Sequence, residues 1–133
     1  MASLIRQESE FNAGAVSHKS AYGLMQLLPS VGKSMARKDG VKGFSTNELL
    51  DPAMNLELGT TNLRVVLDRF GGQVEYALAA YNAGDVPVRA WMSAGNYQDI
   101  AEFVESIPYT ETREYVQAIL RNREIYRALY STH

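Results

Sequence analysis

Apolar side chains recur along this chain at the spacing of an α-helix, about 3.6 residues. The clearest case is Val74, Ala77, Leu78 and Tyr81, which follow i, i+3, i+4, i+7 and so form one apolar stripe. Gly84 follows the stripe and is typical of a helix end. No stretch alternates apolar and polar residues as a half-buried strand would. The pattern therefore predicts an all-α fold.

Residues that favour helix ends bound several further apolar patterns. Pro52 suits the first turn of a helix whose apolar face includes Leu56 and Phe70, and residues 38–47 are predicted to form a surface loop. The other predicted helices cover residues 21–28, ended by Pro29; 30–37, capped by Ser30; 85–91, capped by Asp85 and followed by Gly95; 97–105, before Pro108; and 110–130, capped by Thr110, with Val116, Ile119, Leu120, Tyr126, Leu129 and Tyr130 on one face.

The whole chain, residues 1–133, is predicted to be one compact domain. Neither an internal repeat nor a low-complexity linker interrupts it. The first helix has room for only about nine residues before Asn12 and Gly14, so we expect the chain to begin inside a longer helix.

Composition and charge exclude or disfavour several classes of function. The chain has no cysteine, which excludes disulfides, thiolate metal sites and a cysteine nucleophile. Its formal net charge is −2 and its basic residues are scattered, which argues against nucleic acid as a partner. No apolar run reaches the ~20 residues of a membrane span, and no signal-peptide pattern opens the sequence.

Glu8 is the acidic residue with the most unusual surroundings. On a helix it shares a face with Leu4 and Ile5, so its carboxyl group extends an apolar stripe. Partial burial favours the protonated form of a carboxyl group, which is the property that a general acid needs near neutral pH. The alternative is an ordinary surface glutamate that pairs with Arg6 or Lys19.

Three further polar side chains lie within or beside apolar helical patterns. Gln26 lies among leucines, and its amide either bonds nearby backbone or faces a ligand. Tyr81 continues the Val74 stripe, so its ring packs in the core while its hydroxyl emerges where Gly84 ends the helix. Glu105 lies between two apolar pairs in the stretch FVESIP. Together these groups predict a polar site formed at the ends of apolar helices.

Four motifs in this order carry a family resemblance. They are Glu8-Ser9; Gly23-Leu24-Met25-Gln26; Ala80-Tyr81-Asn82; and ESIP at residues 105–108 with ETREYV at residues 111–116. The chain resembles the catalytic domain of the bacterial lytic transglycosylases of the soluble type, over about residues 4–130. This resemblance implies an all-α, lysozyme-like fold with a substrate groove.

The resemblance also implies a reaction and a set of roles. Such enzymes cleave the β-1,4 bond between N-acetylmuramic acid and N-acetylglucosamine in peptidoglycan and leave a 1,6-anhydromuramoyl end. By this resemblance Glu8 is the catalytic acid and then the base. The residues expected to line the saccharide groove are Ser17, Gln26, Tyr81, Asn82 and Glu105, with Met25 and Leu28 as its apolar floor or support.

The sequence offers one well-placed carboxylate, whereas most glycosidases use two, ~5–9.5 Å apart. Glu10 follows Glu8 by two residues and points to another side of the helix. One carboxylate suffices if the 2-acetamido oxygen of the substrate is the nucleophile, which is a known exception to the two-carboxylate rule. We expect no cofactor and no metal, because His18 and His133 have none of the neighbours that a metal site requires.

Two alternatives remain open on the sequence alone. One is a lysozyme-type muramidase that hydrolyses the same bond, and the other is an inactive peptidoglycan-binding module. The expected partner is the peptidoglycan glycan strand, the expected location is the periplasm or cell envelope because the substrate is there, and a monomer is expected.

Overall fold

The structure is a computed structural model that describes residues 1–130, without the side chains of residue 126 and residues 128–130. Seven α-helices and one 3₁₀ helix lie within these residues. In chain order they are α1 (Ala2–Ser9), α2 (Pro29–Lys38), the 3₁₀ helix (Thr46–Leu50), α3 (Pro52–Arg69), α4 (Val74–Ala83), α5 (Asp85–Ala94), α6 (Ile100–Glu105) and α7 (Thr110–Tyr130). The prediction of an all-α fold is confirmed.

Most helix ends lie close to the residues that predicted them. Pro52 opens α3, and Gly84 follows α4 with φ +92°, a conformation that glycine adopts without strain. Gly84 also occupies the N-cap of α5, so Asp85 is the first residue of that helix rather than its cap. The α6 helix begins later than predicted because the Asp99 side chain accepts a hydrogen bond from the Glu102 N–H and caps it.

The prediction of a helix over residues 21–28 is wrong. Tyr22 and Leu27 exchange two backbone hydrogen bonds of 2.8 and 3.0 Å, which close a tight loop between them. Within this loop Gly23 has φ +79° and Gln26 has φ +50°, both in the left-handed region. Pro29 does not end a helix but occupies the first position of α2, where its missing N–H costs nothing.

The predicted loop at residues 38–47 is shorter than expected. Helix α2 continues through Lys38, and the 3₁₀ helix begins at Thr46. Ser45 and Glu48 form a capping box at the start of the 3₁₀ helix, each side chain binding the other residue's backbone N–H. This local exchange of hydrogen bonds explains why a polar segment is ordered there.

The chain divides into two compact units, Met1–Arg64 and a second that begins at Val65, and α3 continues from one into the other. In the first unit, α2 and the 3₁₀ helix pack against each other. The core of this unit consists of buried Leu27, Ala36, Leu49 and Leu58, with Tyr22, Val31, Met35, Val41, Phe44 and Met54 packed around it. The single-domain assignment of residues 1–133 stays a prediction.

In the second unit, α4 packs against α5 and α7, and α6 packs against α7. Phe103 is the centre of an aromatic cluster, with ring centroids 4.7 Å from Tyr76 and 5.4 Å from Tyr97. Val116 and Ile119 of α7 are buried as predicted. The predicted positions of the Tyr126, Leu129 and Tyr130 side chains lie outside the described residues.

Among residues 1–130, no helix combines the length and the apolar character that crossing a bilayer requires.

Candidate active site

Glu8 lies in the last turn of α1, and its side chain is half-buried. Leu4 and Ile5, one turn before it, are only 2% and 7% exposed, so the predicted apolar face exists and Glu8 extends it. Glu10 lies just beyond the helix, is exposed, and has φ +52°. The chain turns at Glu10 and Phe11, both left-handed, slightly before the predicted turn at Asn12.

The Ser9 side chain links the end of α1 to the loop that contains the GLMQ motif. Its hydroxyl lies 2.8 Å from the carbonyl oxygen of Leu24 and 3.1 Å from that of Ile5. The first of these contacts crosses 15 residues of sequence. The residue adjacent to Glu8 is therefore bound directly to the loop that contains Gln26.

Asn55 of α3 also binds that loop. Its Oδ1 accepts the Met25 N–H at 2.8 Å, and its Nδ2 donates to the carbonyl oxygens of Tyr22 (2.8 Å) and Leu49 (2.9 Å). Asn55 is 0% exposed, so these three hydrogen bonds satisfy a fully buried amide. A Cβ atom on Gly23 would lie 2.3 Å from both Asn55 Nδ2 and the Leu49 carbonyl oxygen, so only glycine fits there.

Gln26 uses its amide hydrogens within the protein, which is the simpler of the two roles considered for it. Its Nε2 donates to the carbonyl oxygens of Gly23 at 2.9 Å and Ala15 at 3.2 Å. The carbonyl oxygen Oε1 is the part of the side chain left to accept a hydrogen bond from a ligand. The backbone bonds fix the direction of the amide, so Gln26 is a preorganised acceptor in the first unit.

Ser17 and Met25 support the same segment in different ways. The Ser17 hydroxyl oxygen accepts the N–H groups of Ala21 at 3.1 Å and Lys19 at 3.2 Å, which shapes the turn before the second motif. Met25 is 0% exposed and packs beneath the loop, where a Cβ on Gly59 would meet its sulfur atom at 2.3 Å. Met25 therefore acts as support rather than as exposed floor.

The second unit contains the other candidate residues. Tyr81 and Asn82 lie in the last turn of α4, both half-buried. Asn82 Oδ1 accepts a 2.6 Å hydrogen bond from the hydroxyl of Thr112, which is 2% exposed on α7. This bond leaves the Asn82 Nδ2 group as a donor. Glu105 ends α6 and is exposed.

Two residues of the ETREYV motif (residues 111–116) form hydrogen bonds to the AYN and ESIP motifs. Thr112 binds Asn82 of the AYN motif, and Arg113 donates from an Nη atom to the carbonyl oxygen of Ile107 at 3.2 Å, in the ESIP motif. Tyr115 and Val116 are buried. These two hydrogen bonds join the ETREYV, AYN and ESIP motifs within this chain.

Replacing Thr112 with valine is expected to lower both stability and activity. Valine keeps the shape but removes the hydroxyl that binds Asn82, at a cost of about 1–2 kcal/mol in the free energy of unfolding. Urea unfolding and an activity assay measure the two effects, with Thr112→Ser as the control that keeps the hydroxyl. Equal behaviour of the valine and serine variants would contradict this role of Thr112.

Two residues of the site were missed by sequence reasoning, Asn55 and Thr112. Asn55 stands among apolar residues in MNLEL, the same signal that singled out Gln26. Thr112 lies inside the ETREYV motif, but nothing in the sequence distinguished it within that motif, since a threonine in the first turn of a helix is common.

Within the described part of the chain, His, Cys, Asp and Glu nowhere gather in a group of three or more that could hold a metal ion. His18 is exposed, and His133 lies outside the described residues.

Comparison with known proteins identifies the family of this chain. The sequence profile of the family described as Transglycosylase SLT domain matches residues 1–104, and that of the Soluble lytic transglycosylase helical domain matches residues 106–133. The soluble lytic murein transglycosylase of Escherichia coli strain K12 is 41% identical over 127 residues, which cover 93% of this chain and 20% of that protein.

Solved structures agree with these matches. An X-ray structure of an inactive glutamate-to-glutamine mutant of the lytic transglycosylase Slt from Pseudomonas aeruginosa has a TM-score of 0.91 and 39% identity, covering 97% of this chain and 21% of that one. The 70-kDa soluble lytic transglycosylase in complex with bulgecin A has a TM-score of 0.90 and 39% identity, covering 98% and 21%. The chain thus spans about a fifth of the length of these relatives. It belongs to the SLT family of lytic transglycosylases.

Proposed function

We propose that this chain is the catalytic part of a peptidoglycan lytic transglycosylase, with Glu8 as its acid and base. The observation that carries the proposal is the position of Glu8: a half-buried carboxyl group at the end of α1, next to a serine that is bonded to the Leu24 carbonyl. The bond cleaved is the β-1,4 linkage between N-acetylmuramic acid and N-acetylglucosamine, and the product carries a 1,6-anhydromuramoyl end.

Glu8 serves the reaction in two steps. In the first, its carboxylic acid protonates the glycosidic oxygen while the 2-acetamido oxygen of the muramoyl residue attacks its own anomeric carbon. The resulting carboxylate then removes the proton from the muramoyl 6-hydroxyl, which displaces the acetamido oxygen and closes the anhydro ring. Glu8 returns to its acid form, and no water is consumed.

One carboxylate is enough for this route, and the surroundings of Glu8 are consistent with it. The nearest acidic residue in sequence, Glu10, is exposed and lies beyond the last residue of α1. A hydrolase of the usual kind needs a second carboxylate to deliver water or to act as nucleophile. The Pseudomonas aeruginosa relative is inactive as a glutamate-to-glutamine mutant, which supports an essential glutamate in the family.

The other candidate residues are proposed to bind the saccharide. Gln26 Oε1 accepts from a sugar hydroxyl or amide, and Asn82 Nδ2 donates to an acetamido oxygen. Tyr81 lies next to Asn82 and is proposed to act near the reacting sugar. Ser17 in the first unit and Glu105 in the second are also proposed to bind the saccharide, and the buried Met25 supports the loop that carries Gln26.

Replacing Tyr81 with phenylalanine is expected to lower activity about tenfold or more with little change in melting temperature. The change removes only a hydroxyl, whose hydrogen bond to a charge-developing substrate is strong in the transition state. The control is Tyr76→Phe, because the Tyr76 ring packs on Phe70 and Phe103 and Tyr76 is not among the proposed saccharide-binding residues. A large fall in melting temperature for Tyr81→Phe instead would indicate that the residue is only a core residue.

The proposed partner is the peptidoglycan glycan strand, and the proposed location is the periplasm or cell envelope. Relatives named murein transglycosylases act on that polymer, which supports the assignment. We propose that the chain acts as a monomer without a cofactor.

Product analysis of digested peptidoglycan tests the reaction. Mass spectrometry should find muramoyl ends that are one water lighter than reducing ends. Reducing ends alone would make the protein a lysozyme-type muramidase, and no release of fragments would favour an inactive binding module.

A further inference from the structure

Two side chains from different helices bind the loop between Tyr22 and Leu27. The Ser9 hydroxyl binds the Leu24 carbonyl at 2.8 Å, and the Asn55 amide binds the adjacent Met25 N–H at 2.8 Å. These two contacts lie on consecutive residues of the loop. Ser9 comes from α1 and Asn55 from α3, so the loop is tied to both helices within the first unit.

The loop has a conformation that local preferences do not favour. Gln26 has φ +50°, which costs an L-residue about 1–2 kcal/mol, and Gly23 has φ +79°. Such a conformation persists only where surrounding contacts determine it. Asn55, which is fully buried and makes three hydrogen bonds, supplies those contacts.

Ser9 and Met25, which take part in these two contacts, are each followed or preceded directly by a proposed site residue. Ser9 follows Glu8 directly, at the last position of α1. Gln26 follows Met25 directly, and its own amide is aimed by the Gly23 and Ala15 carbonyls. A shift of the loop relative to α1 therefore moves Gln26 relative to Glu8.

We propose that Ser9 and Asn55 form a clamp that positions the Glu8 carboxyl group against the sugar that Gln26 holds. They are positioning residues that act through the loop: Asn55 is fully buried, and the Ser9 hydroxyl binds backbone carbonyl oxygens. This inference rests on the proposed function, because it assigns Glu8 the proton transfers. An acid misplaced by about 1 Å can lower a rate about 100-fold, so the clamp affects turnover more than binding.

The test is steady-state kinetics on a soluble oligosaccharide of alternating N-acetylglucosamine and N-acetylmuramic acid. Ser9→Ala should lower kcat about tenfold or more while KM changes less than about threefold, with a small change in melting temperature. Ser9→Thr keeps the hydroxyl and should retain most of the kcat of the unaltered chain. A residue with a merely structural role would not separate kcat from KM in this way.

A matched control is available in the same unit. Thr60 is exposed on α3, and its hydroxyl binds the carbonyl of Leu56 one turn earlier, as the Ser9 hydroxyl binds that of Ile5. Neither Thr60 nor Leu56 belongs to the loop between Tyr22 and Leu27. Thr60→Ala should therefore leave kcat unchanged. Asn55→Asp keeps the acceptor for Met25 and removes both donors, so it should lower kcat below that of Ser9→Ala, measured where circular dichroism shows the variant folded.

The outcomes separate the clamp from the proposed function. Wild-type kcat in folded Ser9→Ala, beside an inactive Glu8→Gln, overturns the clamp and leaves Glu8 in its role. A rise in KM for Ser9→Ala without a fall in kcat also overturns the clamp. Absence of anhydro products from the unaltered chain instead overturns the proposed function on which the clamp depends.

Discussion

Replacement of Glu8 by glutamine is expected to abolish the loss of turbidity of a peptidoglycan suspension, with a fall in rate of about 1,000-fold or more. Glutamine has nearly the same shape, but it cannot donate the first proton or accept the second. General acid–base groups each contribute about 100–10,000-fold, and Glu8 is proposed to serve in both directions. The fold and the binding of oligosaccharide should be kept, which circular dichroism and calorimetry measure.

Glu10→Gln is the matched control for this experiment. Glu10 is two residues away, exposed, and outside α1, so the same chemical change there should leave activity near that of the unaltered chain. Full activity of Glu8→Gln would remove Glu8 from its role. Equal losses in both variants would mean that charge near the helix end matters rather than the Glu8 carboxyl group itself.

Replacement of Gly23 by alanine is expected to have the largest effect on stability, a loss of about 3 kcal/mol or more in the free energy of unfolding. Its φ of +79° strains any L-residue, and the added Cβ would lie 2.3 Å from both Asn55 Nδ2 and the Leu49 carbonyl oxygen. Relief of that clash separates two buried groups that are hydrogen-bonded to each other. Urea unfolding measures the loss, and activity should fall with it.

Gly40→Ala separates the two causes of this loss. Gly40 has φ +76°, nearly the same as Gly23, but apart from its two chain neighbours no residue has an atom within 4 Å of where its Cβ would be. It should therefore lose only the backbone cost of about 1 kcal/mol. If the two variants lose the same stability, the close packing of Asn55 against Gly23 is not what holds the loop.

The helices could be predicted from the sequence because their signals are local. The apolar spacing from Val74 to Tyr81 and the glycine at position 84 lie within one short segment, and α4 ends where they indicate. The same reasoning failed at residues 21–28, where the run of apolar residues imitates a helix. The left-handed conformation of Gln26 is stabilised by a loop closure and by Asn55, and neither is visible as a spacing.

Some features of the candidate site could likewise be predicted from the sequence, and others could not. The half-burial of Glu8 followed from its spacing to Leu4 and Ile5, which the structure confirms. The hydrogen bonds of Asn55 to Met25 and of Thr112 to Asn82 each join residues 30 positions apart. Contacts at that separation depend on how helices pack, so a single sequence could identify the motifs but not the hydrogen bonds that hold them in place.

The most direct test of the central claim is digestion of peptidoglycan by this chain in heavy-oxygen water, followed by mass spectrometry of the new muramoyl ends. Closure of the ring by the substrate's own 6-hydroxyl uses no water, so we expect anhydro ends without heavy oxygen. A hydrolase adds solvent oxygen to the anomeric carbon. New reducing ends that carry heavy oxygen would show that the chain hydrolyses the bond instead.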